Sequence, residues 1–334
     1  MIMRLTTPVH ITPVQATIDY SDKILLLGSC FADNVGEKLQ QHYFQTTLNP
    51  FGTLYNPASI AEAIRLAGTK DTEVLPLIEW GGLWHSMSHH GTYSNPDKEI
   101  ALQQCMASIA NLRQSLRESS VIVVTFGTAW IYEYAPQFPN ANEFSAKVAA
   151  NCHKMPANWF VRRRLSVEEI VDMWYPIVAS MPEKHWIFTI SPIRHIKDGL
   201  HENQLSKAIL LQAVDCLTEK CSNSLTGGPT SHFVHSGLIS YFPAYEIMID
   251  ELRDYRFYAD DLVHPSPMAI EYIWQRFVDS FISSSTKEEM IPLHQLWKDR
   301  NHTFLHPESE EAIAFQQRTQ KRLEELQTKY SWLR

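Results

Sequence analysis

The sequence predicts an α/β protein: a doubly wound, mainly parallel five-stranded sheet with flanking helices and loop insertions. Three observations point there. Short apolar runs recur at wide intervals, helical periodicity fills the gaps between them, and glycine closes the two clearest runs. Unbroken apolar runs suit strands buried on both faces, as in a parallel sheet.

The first run is Ile24–Leu27, ending at Gly28. A weaker one, "FQTTL" at Phe44–Leu48, supplies a further strand. "VIVVTF", Val121–Phe126, is the strongest and leads into Gly127. "WIFTI", Trp186–Ile190, follows the Met181-Pro182 break, and "HFVH", His232–His235, follows the turn Gly227-Gly228-Pro229. Between the first two runs, Phe31, Val35, Leu39 and Tyr43 recur every four residues and predict a helix with one buried stripe. A last helix of the sheet domain is expected over 266–282, with Ser266 as cap and Pro267 at its first position. Residues 1–285 are expected to form this domain. Residues 286–334 read as a helical extension that packs on it through Leu323, Leu326, Tyr330 and Leu333. Gly81–Pro96 and Pro136–Arg164 break the alternation and read as long loops or insertions, which in compact domains are often functional.

Bulk properties narrow the class. A chain of 334 residues buries enough surface to need no covalent staple. Hydrophobic residues make up 44% and mean hydropathy is −0.23, as in a soluble globular protein. The net charge of −8 argues against nucleic acid or an anionic membrane as partner. The opening residues hold Pro8 and Pro13 and no continuous apolar core, so neither a signal peptide nor a membrane span is expected there. Five scattered cysteines make no disulfide framework, which fits a reduced, cytoplasmic setting. Oligomeric state is not legible.

The chemistry centres on "ILLLGSCFADNVGEKL", Ile24–Leu39. In an open parallel sheet ligands bind at the carboxyl ends of the strands, where Gly28-Ser29-Cys30 would stand. The N-terminus of the next helix would point there too, favouring a thiolate and offering a partial oxyanion hole. Taken alone, the tripeptide reads first as a tight turn in which Ser29 caps the helix and Cys30 is a small buried apolar residue. Far along the chain, "YADDLVHPS" holds Asp261 and His264 three residues apart. Asp261 could orient the imidazole while its other nitrogen takes a proton from a nucleophile.

Together these residues resemble the SGNH, or GDSL-like, hydrolase superfamily, with its nucleophile after the first strand and an Asp-x-x-His near the end. More closely, "GSCFA" at Gly28–Ala32 is similar to the motif that names the GSCFA-domain family, a bacterial branch similar to SGNH hydrolases. "NPFGTLYNP" (Asn49–Pro57), "FGTA" (Phe126–Ala129), "NCHKMPANWF" (Asn151–Phe160), "SPIRHIKDGL" (Ser191–Leu200) and the long stretch Tyr241–Ser266 extend the likeness over about 21–280. The resemblance implies an SGNH/flavodoxin-like three-layer sandwich. Laid on Gly-Asp-Ser, it puts Ser29 on the Asp and Cys30 on the nucleophile. A one-residue slip would put Ser29 there instead. It implies Asp261 as orienter, His264 as base, and the N–H groups of Cys30 and Gly52 as oxyanion donors. The third block departs from the pattern: Gly127-Thr128-Ala129-Trp130 lacks the donor Asn, a loss of about 3 kcal/mol in transition-state binding where such a donor is removed. Thr128 and Asn151 are the candidate replacements; otherwise they are a turn hydroxyl and a loop amide.

Arg194 and His195 directly follow a strand and are candidate substrate ligands, Arg194 for a carboxylate or phosphate. It could equally close its loop by a salt bridge. Trp130 is the tryptophan expected to line the cleft. Arg162–Arg164 read as a solvated face before a phosphate site. His85, His89, His90, His153, His195 and His201 offer no metal-ligand spacing beyond His85 and His89 at i, i+4 in a Gly- and Ser-flanked loop, so no metal is expected. Cys152-His153 is no better as a ligand pair. Cys216 and Cys221 read as helix packing residues. The expectation is an ester or thioester hydrolase without cofactor, acting on a small-molecule acyl ester or acylated carbohydrate. An acyltransferase with the same triad and a non-catalytic ligand-binding fold are the alternatives.

Overall fold

The computed structural model describes residues 6–12, 14, 16–69, 75–139, 141, 144, 147–226, 239–330 and 332–333. The elements run β1 (Lys23–Gly28), α1 (Cys30–Gln41), β2 (Gln45–Leu48), α2 (Pro57–Gly68), β3 (Ile78–Trp80), β4 (Leu83–His85), α3 (Lys98–Glu118) and β5 (Val121–Phe126). They continue as β6 (Trp130–Tyr134), β7 (Phe160–Arg164), α4 (Val167–Ala179), β8 (His185–Ile190), α5 (Leu200–Thr226), β9 (Ile239–Phe242), the short turn α6 (Ala244–Glu246), α7 (Pro267–Phe281), α8 (Ser284–Arg300) and α9 (Glu310–Lys329).

Five strands form one all-parallel sheet in the order β2-β1-β5-β8-β9. Alternate side chains supply two cores. Leu25, Leu27, Ile122, Val124, Trp186 and Phe188 meet Ile64 of α2, Ile109 of α3, Trp174 of α4 and Leu210 of α5. Ile24, Leu26, Val123, Ile187 and Phe242 meet Phe31, Val35 and Leu39 of α1 and Ile273 and Phe277 of α7. Both faces are covered, so the strands read as unbroken apolar runs; this is the doubly wound three-layer arrangement. Residues past 285 form α8 and α9, whose Leu293, Leu296 and Leu323 join the second core beside Tyr20 and Tyr330.

The differences from expectation are local. The fifth strand is Ile239–Phe242; His232–His235 and the turn Gly227-Gly228-Pro229 lie outside the described residues. The stripe on α1 stops at Leu39, because Tyr43 lies past the helix end with φ +62°. The two presumed loops contain hairpin strands: β3 pairs antiparallel with β4, and β7 with β6. Cys221 is buried as expected for packing, but Cys216, on the solvent side of α5, is exposed. Ser266 caps α7, accepting from Ala269 N–H at 3.3 Å, with Pro267 at the first position.

Because β1 connects outward to β2 on one side while β5 lies on the other, the strand order reverses between β1 and β5. A crevice opens at the carboxyl ends of the strands at such a reversal. Ser29 and Cys30 leave β1 there, and Gly127 and Thr128 leave β5 there.

Candidate active site at the sheet's switch point

Gly28 closes β1 at φ +136°, with its Cα against β5: a Cβ would lie 2.2 Å from the Thr125 carbonyl oxygen. Only glycine fits this approach. Its N–H donates to Asn49 Oδ1 at 2.8 Å, and its carbonyl accepts from Leu54 N–H at 2.9 Å. Asn49 also donates from Nδ2 to Asp33 Oδ1 at 2.7 Å, and Thr53 Oγ1 donates to the other Asp33 oxygen at 3.1 Å. The segment after β2 is thereby laced to the start of α1. Asn56 then caps α2, accepting from Ser59 N–H at 2.8 Å.

Ser29 is the N-cap of α1 by position, yet its side chain caps nothing. The residue is 1% exposed, and its hydroxyl has no partner among the described residues. Cys30 is the first helical residue and only partly buried, packed on the same apolar cluster as Val263. Burial and the Asp33 carboxylate push its thiol up. The N–H groups of Cys30 and Phe31, and the Lys207 ammonium, pull the other way. First-turn N–H groups lack intrahelical partners and are natural donors to an anion.

The segment Tyr258–Pro265 folds as a tight loop, closed by Ala259 N–H donating to the His264 carbonyl at 2.8 Å. Within it Asp261 Oδ2 accepts from His264 Nδ1 at 2.6 Å, which leaves Nε2 as the free base position. Asp261 Oδ1 accepts from the backbone N–H of Val263 at 2.9 Å and of His264 at 3.0 Å. These donors, the His264 backbone N–H first, hold the carboxyl down at about 2. Leu262, between the two, is forced to φ +57°, a strained setting for a bulky side chain. Both side chains are about half exposed, at 49% each.

Arg194 clamps this loop. Its guanidinium donates to the Leu262 carbonyl, its backbone N–H reaches the Val263 carbonyl at 3.4 Å, and it lies 4.2 Å over the Tyr258 ring. It closes the loop by these contacts rather than by a salt bridge. His195 turns into the crevice. Its backbone N–H donates to Asn203 Oδ1 at 2.9 Å, and its ring meets Tyr55 edge-on at 6.3 Å. Its Nε2 lies 3.6 Å from where a Cβ on Gly127 would stand, and Ser29 Cβ lies 3.3 Å from that same point. Burial first, then Lys207, with His264 and Arg162 adding to it, lower the His195 imidazole to about 4. Tyr55, whose phenol is pushed up by burial and by Cys30 and Asp33, completes the rim. Trp130 carries the Arg162 guanidinium 3.8 Å above its ring, and Arg162 is paired with Asp198 at 2.5 Å.

The remaining candidates have other bonds. Gly52 N–H donates to the Asn49 carbonyl at 2.7 Å. Thr128 shares its hydroxyl with Ser206 at 3.1 Å and accepts from Trp130 N–H at 3.2 Å. The N–H groups of Gly127 and Thr128 both donate to the Tyr55 carbonyl, at 2.8 and 3.0 Å. Asn151 Oδ1 accepts from His153 N–H at 2.8 Å in the histidine-rich insertion, beside Gly91. Of the arginine run, Arg163 is paired with Glu133 and Glu169, and Arg164 with Glu202. His89 lies between Ser86 and Ser108 hydroxyls at 2.7 Å each, and His85 between Ser94 and the Trp80 carbonyl. Among the described residues no group of three His, Cys, Asp or Glu side chains is placed to hold a metal. No described helix is long and apolar enough to cross a membrane.

Sequence reasoning passed over Asn49, Asp33, Tyr55 and Lys207. Lys207 left a readable trace. It stands in register with Leu210, Val214, Leu217 and Cys221 on the buried stripe of α5, where a lysine is out of place.

The fold is a doubly wound α/β arrangement whose switch point carries Ser29 and Cys30 at the head of α1, with Ser29 and His195 beside Gly127. The sequence profile of the GSCFA family matches residues 23–277, most of the chain, and the chain belongs to that family. No curated protein matches it.

Proposed function

We propose that this chain is a hydrolase of ester or thioester bonds, of the SGNH type, working through Cys30, His264 and Asp261. The observation that carries the reading is the Asp261–His264 pair at 2.6 Å, with the carboxylate fixed by two further backbone donors. A carboxylate on Nδ1 makes Nε2 the proton acceptor and stabilises the imidazolium that forms. Cys30 is the better nucleophile because it is the more accessible of the two, whereas the Ser29 hydroxyl is enclosed.

In the first half-reaction His264 Nε2 takes the Cys30 thiol proton as sulfur bonds to the acyl carbon. The tetrahedral oxyanion accepts from the N–H groups of Cys30 and Phe31 at the head of α1. His264 then gives its proton to the departing alkoxide or thiolate, leaving a thioester on Cys30. In the second half-reaction His264 deprotonates water, which attacks the thioester, and the thiol is restored with the free acid. A raised resting thiol suits this course, since the proton leaves during attack. The substrate is a small acyl ester or acylated carbohydrate, and the setting is cytoplasmic.

One observation favours a second reading, ligand binding without turnover. The N–H groups of Gly127 and Thr128 and the Thr128 hydroxyl are all bonded within the fold, so none of these three is free to hold an oxyanion. Turnover of a p-nitrophenyl ester and of an acyl thioester by wild type, Cys30→Ala, Ser29→Ala and His264→Ala tests the proposal. Activity lost in Cys30→Ala and His264→Ala and kept in Ser29→Ala supports it. No turnover by wild type favours binding alone. Product analysis with a sugar acceptor added separates hydrolysis from acyl transfer.

A further inference from the structure

Lys207 is 1% exposed, at the head of the apolar stripe of α5. A buried ammonium is costly unless it is well bonded. Here Nζ donates to the Gly127 carbonyl and to the Ser191 carbonyl, each at 2.7 Å. These are the first carbonyls beyond β5 and β8, so one cation ties two strand exits together at the floor of the crevice. Gly127 is also the residue against which Ser29 Cβ and His195 Nε2 pack. The ammonium therefore lies directly beneath the turn that carries Cys30.

We infer that Lys207 is a positioning residue for Cys30, fixing the crevice floor through two carbonyls and lending positive charge to the thiolate. The inference rests on the reading of Cys30 as nucleophile. Several charged or titratable groups face the thiol. Asp33, from the same helix, opposes ionisation; Lys207, from α5, favours it; the Tyr55 phenol comes from the segment before α2. His195, lowered to about 4, is neutral near pH 7, and Lys207, His264 and Arg162 all disfavour its charged form. Tyr245 presents its ring 5.5 Å from Nζ. Burial lowers Lys207 to about 7, while Cys30 raises it. Its charge is thus present below about pH 7 and fades above.

The test is the rate at which iodoacetamide alkylates Cys30 in the full chain, followed against pH by mass spectrometry. Lys207→Met should slow alkylation about tenfold near pH 7, the effect of one unit of thiol pKa. The two rates should converge above about pH 9, where Lys207 is already neutral. Lys207→Gln can keep two N–H donors for the carbonyls without the charge, and should behave as Lys207→Met does. Wild-type rates in both folded variants near neutrality overturn the inference. So does equal slowing at every pH, the mark of a packing defect. If neither variant folds, His264→Ala carries the test, because it removes the imidazole of the proposed triad and leaves Lys207 in place. Its alkylation profile should keep a shoulder between about pH 7 and 9, and a single sigmoidal rise contradicts the inference. Coupling found without ester turnover would sink the hydrolase reading and leave Lys207 acting on the thiol.

Discussion

Asp261 holds His264 at 2.6 Å through the ring, and its other oxygen holds the same residue's backbone N–H at 3.0 Å. One carboxylate thus fixes both the imidazole and the turn that carries it. Asp261→Asn should keep the turn but favour the wrong tautomer, lowering kcat by about 10³–10⁴ with KM little changed. Steady-state kinetics on a p-nitrophenyl ester checks this; a loss under tenfold would remove Asp261 from the mechanism.

Arg194 supports the same turn from the segment after β8. Arg194→Ala should leave the melting temperature nearly unchanged, because the clamp lies at the surface. It should lower kcat about tenfold by loosening the imidazole. A change in KM alone would return Arg194 to substrate binding.

Much of this site could be read from the chain. The apolar runs of β1, β5 and β8 declared themselves because parallel strands covered on both faces need no alternating polar positions. Asp261 and His264 were legible because their pairing is local, three residues apart. The oxyanion candidates were not. Whether the N–H of Gly52 or the hydroxyl of Thr128 is available depends on Asn49 and Ser206, partners set by the fold rather than by neighbouring sequence. The stretches around β4 and β7 lack the alternation of a strand because their hairpins lie on the insertion. Methionine, alanine and aromatic side chains build the small Met87–Phe138–Met155 cluster there.

Ser29 presents a buried hydroxyl without a partner among the described residues, a setting that costs about 1–3 kcal/mol. Ser29→Ala should therefore be neutral or stabilising, raising the melting temperature by up to about 2 °C, with labelling of Cys30 intact. A clear fall in stability would mean that the hydroxyl is bonded in solution.

Gly28 admits no side chain. Gly28→Ala drives a methyl into the Thr125 carbonyl at a φ that alanine avoids, and should cost more than about 3 kcal/mol. Chemical denaturation reads the loss; a soluble variant of near-normal stability would contradict the close packing of β1 on β5.

Buried histidines set the acid limit. His42, His153, His185 and His195 are lowered to about 4 and His89 to about 3, all chiefly by burial, from an ordinary 6.5. A lowered folded value means that the unfolded chain takes the proton first. Stability is then full above about pH 6.5 and falls as pH drops toward 4, by up to about 1.4 kcal/mol per pH unit for each histidine. Urea midpoints from pH 7 to 4 should fall steeply, and His89→Gln should flatten the slope. A flat wild-type profile would show these rings to be solvated.

The most direct test of the joint action of Cys30 and the Asp261–His264 turn is mass spectrometry of the protein quenched during turnover of p-nitrophenyl acetate. An acetyl group mapped to Cys30 in wild type, and greatly reduced in His264→Ala, is the predicted result. An adduct on Ser29, or one on Cys30 that forms as fast without His264, would contradict it.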